Sequence, residues 1–376
     1  GYDIRLRGVT SRSDPGILVV VDGIPYSDNN ANALNKINPQ DIENITILKD
    51  AQAAIYGARA AGGVLLVTTK KGKTEKPTIS YTGNFNFNTP ASVPQKVNVL
   101  QHIEMMGELY ANDGISNHFF THLLPYVNTA DIYSKNPEVV KGPFGDTPDL
   151  VLGWHDWWKE MYGTAFDHSH NLSISGGSEK SNYYASIGYL DQGSMFNYGE
   201  HNNKKYWGRF KYEYNLNKYI KLRSNVYVGR KKVTEPYDIN QLAWLTYWTW
   251  NCQPTFNPQG QYYGSGGFGN PIAFAEHTGN RWKTYYSYYT QLGFDITPLK
   301  NLTITGDMSL NYDISDEKYY RKRHQTYHWD GSLNYDVIDY WYSGKTKTES
   351  LYNRNEHIVT SLHANYDFRI TDQHMF

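Results

Sequence analysis

The stretch Arg209-Phe210-Lys211-Tyr212-Glu213-Tyr214-Asn215-Leu216 decides the fold. Phe210, Tyr212, Tyr214 and Leu216 take every second place, and Arg209, Lys211, Glu213 and Asn215 fill the gaps. Successive side chains of a strand point to opposite faces, so this pattern gives one apolar and one polar face. The same period runs outward in both directions. It begins with Ile79, Tyr81, Phe85 and Phe87, and returns around Leu172 and Ile174, over 183–189 and over 222–228. It recurs at Phe294 and Ile296, over 302–312 and over 358–370. That makes eight strands, about ten residues or longer where the pattern is clearest, which suits lipid-spanning barrel strands. Strands of a soluble sandwich average only ~5–6 residues.

The connections favour the membrane reading. Short links at 176–181, 217–219 and 298–301 alternate with long ones near 89–169, 191–202, 232–280 and 315–349. Outer-membrane barrels alternate tight inner turns with long extracellular loops. A sandwich has no reason to do so. No run of about 18 apolar residues exists to make a transmembrane helix. The mean hydropathy of −0.65 fits a barrel whose every second residue faces a wet lumen.

Residues 1–76 have a different character and read as a compact mixed α/β unit. Ile4–Val9 reads as a strand, and the unbroken run Ile17–Val21 as one buried on both faces, with Asp22-Gly23 as a tight turn. Pro39–Ile42 reads as a short helix capped by Asn38, followed by a strand over Ile45–Leu48. Asp50–Tyr56 reads as a helix capped by Asp50 and stopped by Gly57, and Val64–Thr69 as a final strand. From residue 77 to residue 376 the chain reads as the N-terminal part of the barrel. Eight strands alone close into a barrel too narrow for a plug, and open strand edges are forbidden in lipid. The sequence is therefore expected to be an excerpt, or to be completed by another polypeptide. At roughly 37 residues per strand, a barrel of about 22 strands needs on the order of 800 residues. No signal peptide precedes Gly1, and the first residues read as though already inside a domain.

Composition removes other classes. Thirty-six Lys and Arg against 37 Asp and Glu leave a formal charge of −1, with no basic excess for a nucleic-acid partner. The single cysteine, Cys252, excludes an internal disulfide. His118 and His122 are spaced four apart, but no glutamate follows the first, so the zinc-protease pattern is absent. No paired catalytic residues and no cofactor fingerprint are found. The 34 Tyr and 10 Trp suit a membrane interface or a sugar-binding surface.

Several blocks in order resemble the SusC/RagA family of TonB-dependent outer-membrane transporters. They are Ile4-Arg5-Leu6-Arg7-Gly8, Val20-Val21-Asp22-Gly23-Ile24-Pro25, Asn38-Pro39-Gln40-Asp41-Ile42-Glu43, Leu48-Lys49-Asp50-Ala51 and 54–64. Thr68-Thr69-Lys70-Lys71-Gly72 closes the plug in the same way, and 170–177 and 182–189 resemble barrel strands of that family. Beyond about residue 231 only the strand pattern supports the resemblance. It implies a plug in the lumen of a larger barrel in a bacterial outer membrane. It also implies import of large nutrients, chiefly oligosaccharides, with a SusD-like surface lipoprotein as lid. The TonB complex would act through a segment not in this chain, and transporter–lipoprotein pairs would form dimers. Import of peptides, or of a metal chelate or vitamin, fits the same architecture. A surface assembly or adhesion scaffold is a further alternative, disfavoured because a scaffold needs no movable plug.

Two residue groups are candidates for the work. Arg5, Arg7, Asp22, Glu43, Asp50 and Arg59 are charges expected to pair plug with barrel, and some of those contacts would break when the plug moves. Trp154, Trp157 and Trp158 in the first long loop, Trp244, Trp248 and Trp250 in the third, and Trp329 and Trp341 in the fourth are candidates for stacking on sugar rings. The competing reading is that some of these rings hold loop helices in place.

Overall fold

The computed structural model describes residues 16–26, 37–49, 52–115, 120, 138–140, 150–152, 155–251, 253–264, 269–322, 324–334, 346–367, 369–371 and 374–375. The strand expected at Ile4–Val9 lies outside them, as do Cys252, His118 and His122. Four strands form the plug sheet: β1 (Leu18–Val21), β2 (Ile24–Pro25), β3 (Ile42–Leu48) and β4 (Val64–Thr69), in the order β2-β1-β4-β3. All four residues of β1 are buried, as their unbroken apolar run requires. Strand β1 runs parallel to β4, Leu18 opposite Val64 and Val21 opposite Val67. Asp22 (φ 49°) and Gly23 (φ 86°) turn the chain into β2, the positive φ pair of a tight hairpin. A 3-10 turn at Pro39–Asp41 follows Asn38, whose side chain accepts from the Gln40 amide.

The helix expected over Asp50–Tyr56 is replaced by two 3-10 turns, Ala54–Tyr56 and Ala58–Ala60. Gly57 sits between them with φ 72°, which no right-handed helix passes through, so hydrogen bonding restarts after it. Asp50 itself lies outside the described residues. At Gly62 a side chain is excluded, since a Cβ would fall 1.9 Å from the Gly16 carbonyl oxygen.

Eight strands form the second sheet: β5 (Thr78–Asn88), β6 (Ala165–Gly177), β7 (Ser181–Gln192), β8 (Asn202–Asn215), β9 (Ile220–Pro236), β10 (Asn280–Leu299), β11 (Leu302–Arg321) and β12 (Lys347–Tyr366). Each pairs antiparallel with its neighbours in chain order, forming a wall that is part of a barrel. The alternation assigns the faces. Ile187, Phe210, Leu222, Leu292, Met308 and Leu362 lie on the exposed outer face, the lipid side. Trp207, Tyr227 and Tyr289 are buried on the inner face against the plug residues Val19, Val21, Tyr26 and Val67.

Four strands extend well past the expected ends. Strands β10, β11 and β12 each have 20 residues, and β9 continues to Pro236. The long connections shrink accordingly to 89–164, 193–201, 237–279 and 322–346. Pairing continues above the hydrocarbon, where both faces are wet. The apolar–polar alternation fades there, so the sequence reading stopped short.

The long connections carry helices. Helix α1 (Val99–Asn112) opens with a capping box between Asn98 and Gln101. Helices α2 (Trp157–Met161), α3 (Ile239–Trp248) and α4 (Pro271–His277) pack around Trp157, Met161, Leu242, Leu245, Ile272 and Phe274. Asp156, Asp238 and Asn270 cap their first turns with side-chain oxygens. The result is a small loop domain with its own core at the long-loop end of the wall.

His324 packs edge-on against Phe274 of this domain, with ring centroids 5.6 Å apart. Burial, aided by the nearby His277, pushes its pKa down to about 4. The unfolded imidazole takes up its proton near 6.5. Because the folded pKa is the lower, full stability is present above about pH 6.5. It falls as pH drops from there to about 4, by about 3 kcal/mol. Protection of the α4 amides against hydrogen exchange, taken relative to the unstructured chain at the same pH, is expected to be weaker at pH 5 than at pH 7, and His324→Phe to shrink that difference.

Candidate functional site

Two plug carboxylates dock on the wall, and both find their cation on β8. Asp41, at the end of its 3-10 turn, is completely buried. Its Oδ1 accepts from Tyr184 Oη at 2.8 Å and Ser186 Oγ at 2.7 Å, both on β7. Its Oδ2 accepts from Arg209 Nε of β8 at 3.2 Å. The Arg209 side chain is only 3% exposed, so both charges of this pair are withdrawn from water. The guanidinium also lies 5.1 Å from the Tyr227 ring centre and donates to Asn225 Oδ1 at 3.1 Å.

Asp22, in the β1–β2 turn, forms the second contact. Its carboxylate accepts from the Thr69 amide at 2.9 Å and the Thr69 hydroxyl at 2.6 Å, which fixes it within the plug. Toward the wall it meets Lys211 Nζ at 2.9 Å and Asn225 Nδ2 at 3.0 Å. Asn225 of β9 therefore bridges the two ion pairs, accepting from Arg209 and donating to Asp22. Arg209 and Lys211 stand two residues apart, so strand geometry places both on the lumen face. Further contacts flank the network: Asn38 Nδ2 donates to Asn171 Oδ1 at 3.1 Å, and Gln291 Nε2 donates to the Asp22 carbonyl at 3.4 Å.

The arrangement can hold a plug against a barrel wall and release it at a definite cost. Removing one partner of a buried pair typically costs ~3–5 kcal/mol, because the other charge stays buried. Among the described residues no cluster of three His, Cys, Asp or Glu could bind a metal ion.

The expected plug charges are distributed unevenly. Asp22 stands in the network. Glu43 is exposed, and Arg59 is exposed with its Nη2 donating to the Tyr26 carbonyl at 3.2 Å. Arg5, Arg7 and Asp50 lie outside the described residues. Sequence reasoning missed Asp41, Arg209, Lys211 and Asn225 as site residues. The signal available for Asp41 was its place in the block Asn38–Glu43, and for Arg209 and Lys211 their polar phase in an alternating strand.

The tryptophans divide as well. Trp157 is buried in the loop domain and its Nε1 donates to the Trp250 carbonyl at 3.0 Å. Trp158 stacks on Tyr162 at 5.1 Å, and Trp244 is half-buried against the same core. Trp250 meets Phe120 edge-on and Trp329 meets Tyr263 edge-on. Trp248 is 49% exposed and its neighbour Tyr247 60%, the two rings perpendicular at 5.8 Å. Trp248 also packs on Trp244, with ring centroids 5.6 Å apart and tilted 30°, so part of the Trp248 ring and of the Tyr247 ring remains open to solvent. Trp154 and Trp341 lie outside the described residues.

Comparison with known proteins agrees with this architecture. The TonB-dependent Receptor Plug Domain family matches residues 1–64. TonB-dependent receptor SusC of Bacteroides thetaiotaomicron is 34% identical over 204 residues, 52% of this chain and 17% of that protein. TonB-dependent receptor P26 of Formosa agariphila is 30% identical over 333 residues, 84% of this chain and 29% of its own length. Among solved structures, the RagAB peptide importer in its closed-closed state superposes with a TM-score of 0.71 at 22% identity, covering 95% of this chain and 40% of that one. At that identity the likeness shows the fold. The chain spans less than a third of the two sequence relatives.

Proposed function

This chain carries a plug and part of the β-barrel of a SusC/RagA-like TonB-dependent receptor of the outer membrane, and from that premise we propose that the whole protein imports oligosaccharides under the control of TonB. The boundary between the two units falls at Lys76 and Pro77. A SusD-like surface lipoprotein is its lid, and pairs of transporter and lipoprotein assemble as dimers. TonB engages a segment outside this sequence.

The observation that carries the reading is the buried Asp41–Arg209 contact, bridged by Asn225 to Asp22 and Lys211. A scaffold gains nothing from a plug seated on polar contacts that force can break. An importer needs a seat that is firm at rest and breakable under force. The exposed Trp248 and Tyr247 support a sugar ligand, since their exposed ring surface suits the apolar faces of pyranose rings. Peptide import is the second reading, and the RagAB peptide importer's similar fold favours it.

Uptake of labelled oligosaccharides by cells expressing the receptor tests this. Accumulation is expected in cells with TonB and not in cells without it. Trp248→Ala is expected to weaken glycan binding about tenfold. Uptake of peptides but of no oligosaccharide would transfer the assignment to the second reading. Equal accumulation without TonB would remove the import reading.

A further inference from the structure

The chain leaves the plug through a short strap, residues 70–77, that runs against the β6–β7 turn at the short-link end of the wall. Lys70 and Lys71 are exposed, Gly72 is buried, and exposure returns at Lys73. Gly72 is buried because its backbone lies directly on the backbone of the wall. A Cβ there would fall 2.5 Å from the Tyr183 carbonyl oxygen and 2.8 Å from that of Gly176. The approach is as close from the other side, since a Cβ at Gly177 would fall 2.8 Å from the Lys73 carbonyl oxygen. Glycine alone lets two backbones come this near. The Gly177 amide donates to the Glu75 carbonyl at 3.1 Å, and Thr74 Oγ1 donates to Asn182 Oδ1 at 3.3 Å.

Seat and strap differ in kind, and little chain separates them. Charged and polar side chains hold the seat at Asp22 and Asp41. Its last links are at Thr69, whose carbonyl accepts from Lys211 Nζ at 3.1 Å, and at Lys70, whose amide donates to the Asp41 carbonyl at 2.7 Å. The strap meets the wall at Gly72, so only the exposed Lys71 stands between the two. A pull that enters ahead of the plug loads Asp22 and Asp41 before Gly72, because both precede it in the chain. Ion pairs can break one at a time, each charge then taken up by water. The strap comes free only if two packed backbones part. Hinges are a few loop residues that absorb the change in φ and ψ, and Lys70 and Lys71 occupy that place.

We propose that the plug swings about Lys70 and Lys71 when the seat breaks, while residues 72–77 stay docked on the β6–β7 turn. The proposal rests on the import reading and deepens it. Gly72 and Gly177 are positioning residues that fix the pivot. A plug tethered so near the wall keeps Asp22 and Asp41 at high effective concentration beside Lys211 and Arg209, and the seat re-forms when the pull ends.

Paired cysteines in the whole receptor, with Cys252→Ser as background, test it. Thr74→Cys with Asn182→Cys locks the strap to the wall, and Asn38→Cys with Asn171→Cys locks the plug body to it, both pairs being side-chain neighbours. Mass spectrometry reads disulfide formation, and TonB-dependent uptake of labelled oligosaccharide is followed before and after dithiothreitol. The strap-locked receptor is expected to import at the rate of the cysteine-free one, oxidised or reduced. The body-locked receptor is expected to import only once reduced. Uptake that the strap lock blocks until reduction, or that the oxidised body lock leaves intact, overturns the proposal. A second readout needs no substrate. In Asp41→Ala the Gly177 amide is expected to keep its wild-type protection against hydrogen exchange while β1 and β4 lose theirs. In Gly72→Val the same amide is expected to exchange at least about tenfold faster. Loss at Gly177 equal to that of β1 and β4 in Asp41→Ala, or unchanged exchange there in Gly72→Val, overturns the proposal too. If only the hinge fails, the unlocked receptor still imports. If the import reading fails, it accumulates no oligosaccharide, and exchange at Gly177 still decides the hinge.

Discussion

Replacing Asp41 by Ala is expected to unseat the plug. The substitution leaves the Arg209 guanidinium buried beside Asn225 and the Tyr227 ring, and strips Tyr184 and Ser186 of their shared acceptor. A buried charge orphaned in this way costs ~3–5 kcal/mol. Amide exchange over β1 and β4 should accelerate by about two orders of magnitude or more while the barrel strands keep their protection. Asp41→Leu combined with Arg209→Met should lose less than the two single changes added together, because neither charge is then left alone. Additive losses would show that the pair does not act as a unit.

Replacing Trp157 by Ala is expected to collapse the loop domain. The ring is 1% exposed at the centre of the cluster formed by α2, α3 and α4, and its Nε1–H bond to the Trp250 carbonyl ties two loops together. Truncating a buried Trp to Ala costs ~3–5 kcal/mol, through lost burial and the cavity left behind. Limited proteolysis of the receptor should then cleave within 237–279 at protease levels the wild type withstands. Trp248→Ala, which removes a half-exposed ring, should leave the proteolysis pattern unchanged while weakening ligand binding. The two variants separate a ring that supports the loops from one offered to a ligand.

The wall was legible because its faces meet such different media. Phe210 and Tyr212 are exposed outward, while Arg209 and Lys211, one residue away from each, point at the plug. A period of two follows directly from that geometry. The plug strands β1 and β4 were equally plain, since a run such as Leu18–Val21 is buried on both faces. The site was not legible in the same way. Asp41 and Glu43 lie in one quoted block, yet the first is completely buried and the second exposed. What separates them is contact with Tyr184, Ser186 and Arg209, which lie 143, 145 and 168 residues away. No local pattern contains that information. Tryptophans posed a similar ambiguity: Trp157 and Trp248 both sit on short loop helices, and only packing distinguishes a core ring from a surface one.

Conductance across a planar lipid bilayer tests most directly whether the Asp41–Arg209 and Asp22–Lys211 contacts keep the lumen shut. The whole receptor is expected to stay closed in wild-type form. Receptor carrying Asp41→Ala and Lys211→Met together is expected to open steps of ionic current as the plug leaves the wall. A doubly substituted receptor as closed as the wild type would contradict the account, because the plug would then be held by something other than these contacts.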